Sequence, residues 1–293
     1  MPPGLNQGEP LIRAIRLIRA ICVIRVKMID IHSHILPDLD DGARDLEESL
    51  EMARIAAEDG IEQMVATPHM FNGLSHNPEP SEIVGRVEAL QKAIGGSLEI
   101  LPGNEVHIAH DIVEKASERK LTKLNQQNYM LIEFPAMNVP VGADELFYKL
   151  QINGIIPILV HPERNIQIQN RPSIVEGFVE RGVRIQVTAM SVTGEFGGAA
   201  QKCVETLLRH NCVHFIATDT HRANRRPPVL SRGRDAAAAI IGDEAATKLV
   251  EDNPRCVVAG EPLVVEPPTS FTKPPKRSAF SRLFKTSGWN SVI

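Results

Sequence analysis

The chain has 293 residues, 43% hydrophobic and 23% charged, which suits a globular protein with one large α/β domain or two small ones. Its formal charge of −4 is uneven: the ends, residues 1–27 and 261–293, carry +4 and +3, so the stretch between them carries −11. An acidic middle excludes a nucleic-acid binder, and four cysteines (Cys22, Cys203, Cys212, Cys256) with no C-x-x-C pair exclude a disulfide scaffold or a thiolate zinc site and fit a reducing cytoplasm.

In chain order, residues 11–24 are apolar but broken by Arg13, Arg16 and Arg19, which fits neither a membrane span nor a signal peptide. Residues 1–27 read as a loose extension, or as sequence upstream of a functional start at Met28, ahead of a helix on a membrane surface. Strands are predicted at about 26–32, 62–67, 98–103, 129–133, 155–160, 183–188 and 213–218. Helices are predicted from Leu46 to a stop at Gly60, from a Ser81 cap to Gly95, and over 142–152, 173–181, 199–210 and 233–250. This alternation predicts a parallel sheet, and chemistry at the ends of many strands predicts its closure into a barrel. An open doubly wound sheet would gather its site at one switch point instead. The segment 261–293, proline-rich and basic with Phe271, Phe280, Phe284 and Trp289, reads as a disordered tail; a contact with a membrane or partner is the sharper alternative.

The chemistry sits at the downstream ends of the apolar runs. V-K-M-I-D-I-H-S-H ends in His32 and His34; further runs end at His69, Glu105, Glu133, His161, and Asp219 with His221. His-x-His on a strand sets both imidazoles on one face, where they can chelate a divalent cation. Acids and imidazoles from separate strands are costly to bury together without cations, and mixed His and carboxylate donors suit manganese, iron, zinc or magnesium.

M-I-D-I-H-S-H-I-L-P-D-L-D-D-G, V-A-T-P-H, G-N-E-V, L-I-E-F-P, P-I-L-V-H-P-E-R, Q-V-T-A-M-S-V-T-G and T-D-T-H occur in order over about 28–260. Together they resemble the PHP (polymerase and histidinol phosphatase) superfamily, and within it the bacterial manganese-dependent protein tyrosine phosphatases of the CpsB/CapC type. The resemblance implies an α/β fold, a distorted (β/α)7 TIM-like barrel, spanning 28–260 and holding three divalent ions, manganese first among them. One ion would take His32, His34, Glu105 and Asp219; a second would share Glu105 and add Glu133 and His161; a third would take Asp41, His69 and His221, with Asp38 and Asp40 competing for the place of Asp41. Arg164 and Arg226 would bind phosphate, with Arg225 the competing choice for the second. A metal-bridging hydroxide held by Glu105 would attack phosphorus, and no general acid is named. Met70 stands where relatives often carry a polar residue.

The implied function is hydrolysis of phosphotyrosine, on the tail of a bacterial membrane tyrosine kinase that controls capsule or exopolysaccharide synthesis. The implied location is cytoplasmic, or peripheral at the inner membrane through the basic termini. A small phosphate ester such as histidinol phosphate is the alternative substrate, and an amidohydrolase-like metal hydrolase the alternative chemistry. His76, His107, His110, His210 and His214 fit no motif and read as surface or packing residues. Cys203-x5-Arg209 matches the loop of cysteine-dependent phosphatases in spacing only: V-E-T-L-L lacks the glycines an anion-wrapping loop uses and continues a helix.

Overall fold

The computed structural model describes residues 27–73 and 76–271. β1 (Met28–Ser33) leads through α1 (Leu46–Asp59) to β2 (Ile61–Ala66) and β3 (His69–Met70). α2 (Pro80–Ile94) precedes β4 (Glu99–Pro102) and β5 (Glu105–His107), and α3 (Ile112–Ser117) precedes β6 (Tyr129–Glu133). α4 (Ala143–Ile152), β7 (Ile156–Val160), α5 (Ile166–Asn170), α6 (Ile174–Glu180) and β8 (Arg184–Thr188) follow. The rest is α7 (Ala189–Thr193), α8 (Gly198–Arg209), β9 (Phe215–Ala217), α9 (Ser231–Ile241), α10 (Asp243–Lys248) and α11 (Asp252–Ala259).

Local chemistry accounts for the helix ends. Asp45 caps α1 by accepting the Glu48 N–H, and Gly60, left-handed at φ 101°, ends it by donating to Ala56 and Ala57 carbonyls. α2 starts at Pro80 rather than after Ser81, because proline suits the first helical position, where its missing N–H leaves nothing unpaired. The helix predicted over 233–250 is two, broken at Gly242 (φ 95°). The short helices α3, α5, α7 and α11 have too few turns to show a hydrophobic period in the sequence.

All strand pairs are parallel, in two sheets ordered β1-β2-β4 and β3-β5-β6-β7-β8-β9. The sheets are continuous through the chain: β2 runs into β3 across Thr67-Pro68, and β4 into β5 across Gly103-Asn104. Gly103 is required there, since a Cβ would lie 2.8 Å from Val65 Cγ1 and 2.9 Å from Leu124 Cδ2. At the far edge Ser33 bridges Thr220, with His34 N donating to Thr220 O (2.9 Å) and Asp219 N to His32 O (2.9 Å). β1 and the chain leaving β9 therefore meet.

Alternate residues of the strands enter two separate cores. Ile29, Ile31, Val65, Tyr129, Leu131, Ile158, Val160 and Phe215 form one, with Val257 and Val258 of α11 and Leu263 packed into it. Met64, Met130, Ile132, Leu159 and Ile185 join the helices in the other, where Phe134, Phe147 and Phe178 meet with ring centroids 5.4–5.8 Å apart. Strands buried on both faces are near-continuous apolar runs, which is why they were legible. Full burial of each such side chain stabilises by roughly 1.5–3 kcal/mol.

Residues 261–271 are not loose. The Tyr129 hydroxyl donates to Glu261 O (2.8 Å) and accepts from Leu263 N (3.1 Å), and Phe271 stacks on His210 at 3.9 Å. Tyr129 opens β6, so this segment covers the strand ends opposite the histidine cluster. The remaining tail and residues 1–26 lie outside the described residues. No described helix is long and apolar enough to cross a membrane.

His214 is a packing histidine, its Nδ1 accepting from Ile185 N (2.9 Å) between β8 and β9. Burial, with the charge of Arg184 adding to it, pushes its pKa down to about 3. The unfolded chain binds this proton near pH 6.5, the folded chain only near 3, so the contribution is whole above 6.5 and falls with pH, by up to about 1.4 kcal/mol per unit. His214→Asn keeps an acceptor and does not titrate. Its unfolding free energy, measured with denaturant, should decline less steeply than that of the parent between pH 6.5 and 4; parallel curves would remove His214 from the acid response.

Candidate metal centre

One edge of the parallel strands collects the nine ligand candidates His32, His34, Asp41, His69, Glu105, Glu133, His161, Asp219 and His221. His32 lies in the bulged end of β1 and His34 just past it: between Asp30 and Ser33 this strand holds one residue more than β2, which re-aims the pair. His69 opens β3, Glu105 opens β5 and Glu133 ends β6. His161 follows β7 and Asp219 follows β9, both in left-handed backbone (φ 33° and 50°). Non-glycine residues held there carry strain that the surrounding structure must impose. Gly42 lets the D-L-D-D-G loop fold onto His34, since a Cβ there would lie 2.0 Å from the His34 carbonyl oxygen.

Four donors form a tight cage. His32 Nε2 and His34 Nε2 are 3.4 Å apart, and each lies 3.3 Å from Glu105 Oε2 and 3.4 Å from Asp219 Oδ1. Edges of that length leave a centre roughly 2 Å from each corner, the length of a metal–nitrogen or metal–oxygen bond. A second grouping joins His34, Asp41, His69 and His221, with Asp41 Oδ1 3.3 Å from His69 Nε2 and 3.4 Å from His221 Nε2. A third joins His69, Glu105 and Glu133. His161 Nε2 stands 2.7 Å from Glu105 Oε1 and 4.0 Å from Glu133 Oε1. His34 and His69 thus each stand in two groupings, where the resemblance gave each to one ion.

The donor set fits divalent cations on chemical grounds. Glu105 Oε2 and His69 Nδ1 are buried without a hydrogen bond, although they lie 3.0 Å apart. Burial resists charge on His32 and His34, yet Glu105, Asp219 and Asp40 outweigh it and raise both pKa values. His69 is raised to about 10: burial and the charge of His34 oppose protonation, but Asp41 and Glu105 prevail. Burial likewise opposes the ionised forms of Glu105 and Asp219, and the imidazoles, with Arg164 and Arg226 at Asp219, hold both well below the carboxylate range. Without ions the imidazoles keep protons against the ionised carboxylates; bound cations would displace them.

Outer contacts orient the ligating nitrogens. His32 Nδ1 meets Gln186 Oε1 at 3.0 Å, and His34 Nδ1 meets Asp40 Oδ2 at 2.7 Å. Each bond sets the proton on Nδ1 and turns the Nε2 lone pair into the cage. Asp40 is therefore the buried orienting acid, and Asp41 is the one that faces His69 and His221. Gln186, the middle residue of β8, opens the Q-V-T-A-M-S-V-T-G motif, but no sequence signal assigned it a role at the centre. His107 departs from its reading as a surface or packing residue: it lines the pocket, with Nδ1 3.2 Å from Glu133 Oε2. It lies two residues past Glu105, so the period of a strand could have flagged it. Met70 is buried in the core, away from the pocket.

The pocket measures about 300 Å³. Arg164 and Arg226 both reach Asp219 Oδ2, and the Phe196 ring lies 5.2 and 5.3 Å from their guanidinium carbons. Arg225 is exposed and turned to a neighbouring cleft.

Parallel α/β architecture with a buried His, Asp and Glu cluster beside two arginines defines a metal-site protein of hydrolase type. The family model described as capsular polysaccharide synthesis, CpsB/CapC, matches residues 28–259, and the chain belongs to that family. The tyrosine-protein phosphatase YwqE of Bacillus subtilis is 37% identical over 260 residues, covering 88% of this chain and 99% of that protein. The tyrosine-protein phosphatase CpsB of Streptococcus pneumoniae is 30% identical over 238 residues, covering 79% and 98%. A chain from the crystal structures of these two proteins, described as unique metal-dependent tyrosine phosphatases, superposes with a TM-score of 0.80 at 36% identity, covering 84% of this chain and all of that one. A lactonase from Listeria monocytogenes, 12% identical with a TM-score of 0.50, shares the fold alone.

Gln186→Leu removes the acceptor that orients His32 and should weaken divalent-ion binding roughly 10- to 100-fold. Titration calorimetry with manganese, beside circular dichroism to confirm folding, measures this; unchanged affinity in a folded variant would detach Gln186 from the centre.

Proposed function

We propose that this chain is a metal-dependent protein tyrosine phosphatase. The observation that carries the reading is the convergence of Arg164 and Arg226 on Asp219, at the edge of a cluster built to hold divalent cations. Family membership and the named activity of the relatives support it. His32, His34, Glu105 and Asp219 hold one ion, Glu105, Glu133 and His161 a second, and Asp41, His69 and His221 a third. Three overlapping donor groupings support that count. Manganese suits donors that are all nitrogen and oxygen.

When bound, divalent ions of this kind supply an acidified water and draw charge from phosphoryl oxygens. The chain's own residues do the rest. Arg164 and Arg226 offer forked N–H donors to the phosphate, which fix it and stabilise charge on its oxygens. Glu105 and Asp219, buried and ionised, hold the floor of the pocket negative, and Gln186 and Asp40 keep the imidazoles turned inward. Phenolate leaves readily for an ester, its conjugate acid having a pKa of about 10.

Counting β2 with β3 and β4 with β5 as two bent strands, the order runs through seven strands and returns from β9 to β1 by the Ser33–Thr220 bridge. That supports a distorted (β/α)7 barrel. The substrate we propose is a phosphotyrosine tail of a membrane kinase in capsule or exopolysaccharide synthesis, met at the cytoplasmic side of the membrane; the family's capsular role supports it.

Chelator-stripped protein should regain hydrolysis of p-nitrophenyl phosphate with manganese and prefer a phosphotyrosine peptide to histidinol phosphate. Arg164→Ala and Arg226→Ala should each lower kcat/KM roughly 100-fold or more. Cys203→Ser should change nothing: Cys203 is buried in α8 and burial pushes its thiol up to about 12, unfit for a nucleophile. Turnover that survives chelation, or that vanishes in a folded Cys203→Ser variant, sinks the reading.

A further inference from the structure

A second cleft of about 300 Å³ opens beside the pocket, lined by Arg44, Glu48, Arg222, Asn224 and Arg225. The two clefts share one loop. Arg222 and Arg226 pair as an antiparallel bridge, with Arg226 turned to Asp219 while Arg222 and Arg225 line the second cleft. Arg44 stands three residues past Asp41, which lines the first pocket.

The second cleft is built. Glu48, nearly buried, accepts on one oxygen from the Arg44 backbone N–H (3.0 Å), from Arg44 Nε (2.8 Å) and from Arg222 Nη1 (3.0 Å). Burial opposes its charge, but Arg44 and Arg222 prevail and hold the carboxyl down to about 2, so it stays ionised. One carboxylate thus positions two guanidiniums and cancels one charge. With Arg225, three positive groups face one negative group, on a body whose residues between the termini are net acidic. That field repels an acidic substrate elsewhere and attracts it here. None of these arginines lines the catalytic pocket.

We propose that this cleft is a subsite for an anionic group, a carboxylate or a second phosphate, carried on the substrate polypeptide near the phosphotyrosine. The proposal rests on the tyrosine phosphatase reading and narrows it to acidic peptide substrates. Guanidinium forks match the planar or trigonal oxygens of either group, which a neutral side chain lacks.

Four substrates test it with the manganese-loaded full chain: p-nitrophenyl phosphate, a phosphotyrosine peptide with neutral flanks, the same peptide with glutamate flanks, and one with a second phosphotyrosine. Wild-type kcat/KM should favour at least one anionic peptide over the neutral one roughly tenfold, mainly through KM, and added salt should erode this. A gain with both anionic peptides shows that a carboxylate suffices; a gain with only the doubly phosphorylated one assigns the cleft to phosphate. Arg225→Ala and Arg44→Ala should shrink the advantage to about threefold or less and leave p-nitrophenyl phosphate and the neutral peptide unchanged. Equal rates on all peptides by the wild type, or a variant that slows every substrate alike, overturn the subsite alone. No turnover of p-nitrophenyl phosphate by the wild type overturns the phosphatase reading and the subsite with it.

Discussion

The buried carboxylate of Glu105 is the constraint around which the rest is arranged. Its Oε2 lies within 3.3 Å of His32, His34 and His69, and its Oε1 lies 2.7 Å from His161. An isolated charge in that position costs several kcal/mol, so it persists only with positive charge around it. Protons on the imidazoles can supply that charge, and divalent cations can supply it while turning the site to chemistry. Placing four histidines from three strands, two of them at the end of β1, around one carboxylate requires parallel strands that share one edge.

The scaffold spends local comfort to meet that requirement. His161 and Asp219 occupy left-handed backbone, β1 bulges at His32, and Gly42 lets a loop press on His34. Such irregularities hold their shape because the strands beneath are packed on both faces and tied across Ser33 and Thr220. At the opposite end, Tyr129 anchors residues 261–271, away from the centre.

Charge is divided by position. Acids and imidazoles occupy the floor, Arg164 and Arg226 the rim around Phe196, and Arg44, Arg222 and Arg225 the neighbouring cleft. The same arginine-rich loop serves both clefts, because Arg226 and its neighbours leave the backbone on different sides.

The sequence by itself determined seven of the nine described strands, the α/β class and eight of the nine metal-ligand candidates, because strands buried on both faces must be short apolar runs and ligands gather where they end; Asp41, in a loop, came only from the family resemblance. His32 and His34 were legible from a period of two, and the thiol chemistry suggested by Cys203 was excluded by its flanking residues. Only the tertiary structure decided that Asp40 orients His34 while Asp41 faces His69 and His221, since neighbours in a tight loop point apart in ways no spacing encodes. Likewise Gln186, His107 and the Glu48-braced arginines acquire their places from contacts across up to 174 positions of chain. Side-chain chemistry is written locally, but the distance between two groups is set by how the whole chain packs.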